Sequence, residues 1–359
     1  MIEIDARHRA IYERLRDEES RELFLCRYRR FRDGDAEALW DELCVAEKFN
    51  RKRAESKDCG RQNILDLIES KARRVVLYAV GANAGYCGVR LQRERIRVVA
   101  ACDGDPAKHD KTIHGFRVVS PERMLLAHPD LPILVTPSLQ RLRDEIHDFL
   151  RACGIPNERI FFYDNASEKQ YFGPAFLSAL PEEVYIDGGC YDGETILDFC
   201  EFAKGSGIRI HGFEPDPDCY TRTRETLRKN RIENVTLTQK GLYDHATALR
   251  FDRTGMSVAG SRISDTGKDT IETTTVDEAV NDEVTFIKMD IEGAELNALK
   301  GAAKTIRRCL PRLAICVYHK PEDIVEIPDF ILSLSPQYGF YMRHHVPWLN
   351  SETVLYAIP

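Results

Sequence analysis

The spacing of apolar and polar residues changes character along the 359-residue chain. Up to about residue 72, isolated apolar residues (Leu15, Leu23, Leu25, Trp40, Leu43, Val45 and Phe49) punctuate a highly charged background. That pattern predicts two or three amphipathic helices, with a break at Asp33-Gly34-Asp35. They read as an arm for packing or for homo-oligomer formation. Arg27, Arg29, Arg30 and Arg32 read as the solvated face of one helix.

Residues 73–165 switch to short β-rich runs alternating with helical stretches. Strands are expected at Arg74–Val80, Val98–Asp103, Arg117–Val119, Pro132–Thr136 and Ile160–Tyr163, and helices begin near Pro121 and Leu139. Ser120 suits an N-cap, with Pro121 at the first helical position. This rhythm predicts a small doubly wound parallel sheet. Gly173, Pro174 and Pro181 break the pattern over 166–183, which reads as a linker.

From residue 184 a second α/β rhythm begins. A first strand ends at Asp187, a second (Ile208–Phe213) ends on Glu214, and a third covers Asn234–Thr238. A fourth (Val284–Met289) ends on Asp290, and a fifth (Arg312–Tyr318) delivers His319. Gly339–His345 and Thr353–Ala357 read as a terminal antiparallel pair.

Composition narrows the class. With 43% hydrophobic and 30% charged residues the chain is globular, and a net charge of −7 gives no basic footprint for nucleic acid. No apolar run is long enough to span a bilayer, and the first residues lack a signal-peptide core. The eleven cysteines include no C-x-x-C pair, so buried reduced thiols and a cytoplasmic protein are expected.

The candidate chemistry lies at the strand ends. Asp187-Gly188-Gly189-Cys190-Tyr191-Asp192-Gly193-Glu194-Thr195 is a strand–turn–helix whose glycines allow close backbone approach to a ligand. Glu214 follows one strand-helix-strand unit later, where a carboxylate can accept both ribose hydroxyls. Gly241 and Leu242 follow the third strand. Asp290, Glu292 and Glu295 cluster at the fourth strand tip, and His319 arrives at the same edge. A weaker glycine loop, Gly81 to Gly88, precedes Asp103 by about one such unit, as in a degenerate dinucleotide fingerprint.

Taken together, the Asp187 loop, Phe213-Glu214-Pro215, Lys288-Met289-Asp290-Ile291-Glu292-Gly293-Ala294-Glu295 and Val317-Tyr318-His319-Lys320-Pro321-Glu322-Asp323 resemble the FkbM-type methyltransferase family over about 184–359. Residues 73–165 resemble the small Rossmann-like domains fused to sugar-modifying enzymes. The expected fold is therefore α/β: an N-terminal helical segment (1–72), a Rossmann-like domain (73–165), a linker (166–183) and a class I methyltransferase domain (184–359). The resemblance implies O-methylation by S-adenosylmethionine (SAM) of a sugar, glycan or related natural-product hydroxyl. It implies that Asp187, Gly188, Gly189, Gly193, Thr195, Glu214, Gly241 and Leu242 meet the cofactor. Asp290, Glu292 and His319 would face the acceptor, His319 as general base. No metal is assigned; a divalent cation on Asp290, Glu292 or Glu295 is the rival to a metal-free acid cluster. The acceptor pocket is expected from 253–270 (Gly255-Met256-Ser257 to Gly267), Arg343 to Trp348 and the first α/β domain. The alternatives are an NAD(P)-dependent oxidoreductase acting through the Gly81 loop, and a non-catalytic binding or assembly module.

Overall fold

The computed structural model describes residues 4–55, 62–137, 140–163, 169–252, 262–263, 266–346 and 351–359. The chain forms two compact units, one of residues 1–51 with 167–359 and the other of 52–166. It opens with α1 (Ala6–Glu13), α2 (Glu18–Asp33) and α3 (Glu37–Glu55). Asp17 caps α2 by accepting from the Ser20 amide, and Gly34, at φ 66°, ends it in the left-handed region. The break expected at Asp33-Gly34-Asp35 is that C-cap.

The 52–166 unit is a seven-stranded sheet. Its strands are β1 (Gln62–Asn63), β2 (Arg74–Tyr78), β3 (Arg97–Cys102), β4 (Thr112–Ile113), β5 (Phe116–Val119), β6 (Ile133–Val135) and β7 (Ile160–Phe162). They lie in the order β1-β7-β6-β2-β3-β5-β4, parallel except for the β4–β5 pair. Helices α4 (Ile64–Glu69), α5 (Ala82–Arg93), α6 (Pro121–Ala127) and α7 (Gln140–Ala152) connect them. Val76, Tyr78, Cys102, Ile133, Val135, Leu150 and Phe162 fill one face of the sheet. The 62–72 stretch thus belongs to this sheet, because β1 pairs with β7.

In the other unit the strands are β8 (Glu182–Gly188), β9 (Gly207–Phe213), β10 (Val235–Thr238), β11 (Gly241–Leu242), β12 (Ala248–Asp252), β13 (Arg262–Ile263), β14 (Asp269–Thr274), β15 (Phe286–Met289), β16 (Arg312–Cys316), β17 (Gly339–His344) and β18 (Thr353–Ile358). The helices are α8 (Glu194–Phe202), α9 (Pro217–Asn230), α10 (Val276–Ala279), α11 (Glu295–Lys300), α12 (Ala303–Cys309) and α13 (Asp323–Leu334). The main sheet runs β10-β9-β8-β15-β16-β18-β17, so its first strand is central and only the last two are antiparallel to their neighbours. A four-stranded sheet, β11-β14-β12-β13, stands apart from it. The apolar runs bury both faces of the main sheet.

The N-terminal helices close the β17 edge of this sheet. Arg16 N–H donates to Phe340 O and Phe340 N–H to Arg14 O, both at 2.9 Å, and Met342 N–H donates to Ser20 Oγ at 2.8 Å. Leu23, Phe24 and Tyr28 of α2 are fully buried in the core there. The arginines are largely spoken for: Arg27 pairs with buried Glu42 at 2.6 Å, Arg29 with Asp41 and Asp35, and Arg32 with Asp33. The ten described cysteines are all free thiols. No described helix is long and apolar enough to cross a membrane.

Candidate active site

Strand β8 runs up the middle of the sheet and ends in a turn made by two left-handed glycines, Gly189 at φ 81° and Gly193 at φ 87°. A Cβ on Gly189 would stand 2.1 Å from Asp290 O, so the β8 and β15 tips approach as closely as only glycine permits. Helix α8 leaves the turn at Glu194. The Cys190 thiol points inward, buried, and donates to Asp187 O at 3.4 Å.

Asp187 is fully buried beneath this turn. Its Oδ1 lies 3.0 Å from Lys288 Nζ, and its Oδ2 accepts from Thr195 Oγ1 at 2.5 Å. Lys288 also donates to Gly188 O at 3.1 Å and Gly189 O at 2.7 Å. Burial alone would lower the Lys288 pKa, but the Asp187 and Asp290 charges outweigh it and hold the ammonium charged. Asp187 was expected to touch the cofactor. Its geometry instead makes it the anchor of a buried lysine that ties down the loop carbonyls.

Beside the turn, a cavity of about 460 Å3 opens at the carboxyl edge of the sheet. That is the size of a small-molecule site, and it lies where open α/β sheets bind ligands. Of the residues singled out in the sequence, Gly189, Thr195, Glu214, Gly241, Leu242, Asp290 and Glu292 line it. Asp187, Gly188, Gly193 and His319 do not.

Glu214 stands at the tip of β9. Its Oε2 accepts from Tyr191 N–H at 2.9 Å and its Oε1 from Asp216 N–H at 3.0 Å. Burial pushes its carboxyl up to about 7, the two N–H donors working against that rise. Each oxygen keeps lone-pair capacity for a further donor, as a ribose diol requires. Leu242, Phe251 and Ile271 give the adjoining wall an apolar surface.

Three further acids, Asp290, Glu292 and Glu352, line the same cavity. Asp290 accepts from Tyr171 Oη at 2.8 Å and Tyr318 Oη at 3.0 Å. Burial alone would raise its pKa; the charges of Lys288 and His319 and the two hydroxyls outweigh that and hold it below the usual range. Glu352 accepts from Gln170 Nε2 at 2.7 Å and is raised, first by burial and then by Asp290. Behind Asp290 and Glu292 sits His319, its Nδ1 2.9 Å from Glu295 Oε1 and its Nε2 3.5 Å from Glu292 and 3.6 Å from Asp290. None of these approaches is directed as a hydrogen bond. Burial alone would lower the imidazole pKa, but Glu295, Asp290 and Glu292 raise it to about 9.

Residues the sequence did not single out complete the site. Gln170 and Tyr171 come from the stretch read as a linker, and Glu352 from the turn before β18. Lys288 was visible only as part of a strand. Of the stretches expected to build the acceptor pocket, 253–261, 264–265 and 347–350, with Trp348, lie outside the described residues. Arg343 turns away from the cavity into an ion pair with Asp17 at 2.6 Å.

In the 52–166 unit, the Gly81 loop and Asp103 border a cavity of about 510 Å3. Asp103, read as a ribose acceptor, already accepts from Val80 N–H at 2.7 Å, Asp105 N–H at 2.9 Å and Lys108 Nζ at 2.8 Å. That uses about three of its four lone-pair positions.

The main sheet places its strands third, second, first, fourth, fifth, seventh and sixth, with a glycine turn after the first and an acid closing the second. This is the class I methyltransferase fold. Residues 187–342 match the methyltransferase FkbM domain. Among solved structures the chain is similar to the methyltransferase FkbM of Methylobacillus flagellatus KT, at 22% identity and TM-score 0.49, covering 90% of this chain and 100% of that one. It is also similar to an rRNA methylase of Streptococcus thermophilus (14% identity, TM-score 0.34, 49% of this chain and 86% of that one). A third similar structure is the SAH-bound methyltransferase PaMTH1 of Podospora anserina (13% identity, TM-score 0.31, 50% and 71%). No curated protein sequence matches the chain.

Proposed function

We propose that the protein transfers the methyl group of SAM to a hydroxyl of a sugar, glycan or related natural product. The observation that carries this reading is the lining of one cavity, which brings buried Glu214 and the apolar side chains of Leu242, Phe251 and Ile271 together with three further acids, Asp290, Glu292 and Glu352. SAM supplies the reactive methyl group when bound.

The chain's part is alignment and proton handling. Glu214 receives the ribose hydroxyls, Leu242 and Ile271 take the adenine, and Gly189 lets the backbone pass close to the ligand. The acid cluster suits a polyol, since carboxylates and tyrosine hydroxyls both bind hydroxyl groups. Holding the acceptor oxygen in line with the methyl group contributes up to about 7–11 kcal/mol to lowering the barrier.

The acceptor proton needs a base within hydrogen-bond reach. Glu292 borders the cavity, whereas His319 lies behind it. We therefore assign the base to Glu292 and revise the expectation for His319, which supports the acid cluster from the rear.

The test is incubation of the purified protein with SAM and a panel of sugars, glycans and nucleotide sugars, read by mass spectrometry. The expected product is an ether one methyl group heavier. Methylation found only on nitrogen or carbon centres would overturn the hydroxyl assignment.

A further inference from the structure

We infer that Asp290, Glu295 and His319 form a binding site for one divalent transition-metal ion at the rim of the cavity. One ligand atom from each lies within 4.8 Å of the other two, so small side-chain movements bring them onto one ion. They come from three adjoining elements: the tip of β15, the first turn of α11, and the segment after β16.

Proximity alone would be an acid cluster beside a histidine. The second observation is what the buried atoms lack. Glu295 is fully buried, and its Oε2 has no hydrogen-bond partner. His319 is nine-tenths buried among carboxylates, its Nδ1 2.9 Å from Glu295 and its Nε2 3.5 Å from Glu292 and 3.6 Å from Asp290, with none of these approaches in directed hydrogen-bond geometry. Buried polar atoms left unsatisfied are costly and uncommon, and they accumulate where a ligand or ion belongs. Here they belong to two adjoining side chains, which approach to 2.9 Å through Nδ1 and Oε1. A cation satisfies a carboxylate oxygen and an imidazole nitrogen at once.

The donor set selects the ion. Two carboxylates with one imidazole suit manganese or zinc better than magnesium or calcium, which favour oxygen alone. The other Glu295 oxygen accepts from Ile291 N–H at 2.8 Å, which orients the carboxylate. Because Asp290 also borders the cavity, a cation there stands where it would polarise an acceptor hydroxyl. That consequence rests on the methyltransferase reading; the binding itself does not.

The test uses the full chain, freed of metal by chelation and titrated with Mn2+, with free Mn2+ followed by electron paramagnetic resonance. The expected result is saturable uptake of one ion per chain, at least tenfold weaker in Glu295→Gln and in His319→Gln and unchanged in the exposed-residue control Glu326→Gln. Calorimetric SAM titration of each variant reports folding of the cavity separately. If both variants fail to fold, the wild-type Mn2+ complex decides: nitrogen modulation from an imidazole in the pulsed spectrum supports the site. No saturable uptake of Mn2+ or Zn2+, uptake unaffected by both variants, or a spectrum without nitrogen coupling would overturn it. SAM binding that persists without the metal leaves the methyltransferase reading standing.

Discussion

Lys288 and Asp187 face each other across the β15–β8 register and form an ion pair with no access to solvent, Nζ to Oδ1 at 3.0 Å. The same ammonium donates to the Gly188 and Gly189 carbonyls, so one buried cation fixes both the acid below the turn and the backbone above it. Lys288→Met leaves Asp187 charged and buried with Thr195 as its remaining partner. A loss of about 3–5 kcal/mol in unfolding free energy is expected, measured by urea denaturation. The double variant Asp187→Asn/Lys288→Met should recover part of that loss, the sign of direct coupling.

Glu214 gives a prediction with a definite pH sign. Its carboxyl is raised to about 7 in the folded chain, so its neutral form is favoured there. The stability this contributes is complete below pH about 4.5 and disappears as pH rises through about 7, costing on the order of 3 kcal/mol. Glu214→Gln removes the titration. Its Tm should equal or exceed that of the wild type at pH 8 and lose that advantage at pH 5. On the proposed reading, in which Glu214 receives the ribose hydroxyls, SAM affinity in the same variant should fall at least tenfold by calorimetry at pH 8, where the wild-type carboxylate is ionised.

Gly189→Ala should fail for a steric reason. The left-handed φ of 81° and the 2.1 Å approach to Asp290 O forbid a Cβ unless β8 and β15 part. The strained backbone alone costs about 1–3 kcal/mol. Loss of SAM binding well beyond tenfold is expected, with circular dichroism confirming that the sheet persists.

Tyr171 and Tyr318 both donate to Asp290. Tyr171→Phe deprives a buried carboxylate of one donor, a loss of about 1–3 kcal/mol in thermal or urea unfolding. Turnover should drop while the Kd for SAM stays within a few-fold, because the proposed function places Asp290 against the acceptor. An unchanged turnover with the expected stability loss would reassign Tyr171 to structure.

How far the sequence could be read follows from where each residue sits. Asp187, Glu214, Asp290 and His319 were legible because each ends or closely follows an apolar run, and in a parallel sheet such residues gather at one edge. The division of labour among them was not. Whether Asp187 meets a ligand or a lysine depends on strand register, which pairs it with Lys288. Tyr171 and Glu352 reach the cavity from outside the periodic elements, where no repeat announces a position. The β11–β14 sheet went unread because its longest strand, Asp269-Thr270-Ile271-Glu272-Thr273-Thr274, carries one aliphatic residue among charges and threonines.

The docking of residues 14–20 against 340–342 bears on how the protein is made. The arm is made well before β17, the strand it docks on. The 52–166 unit has all its strands within reach as it emerges and folds on its own schedule. Until β17 is made, Leu23, Phe24 and Tyr28 lack part of the core that buries them in the folded protein. Closing the β17 edge is therefore a late step in the folding of the unit that contains it.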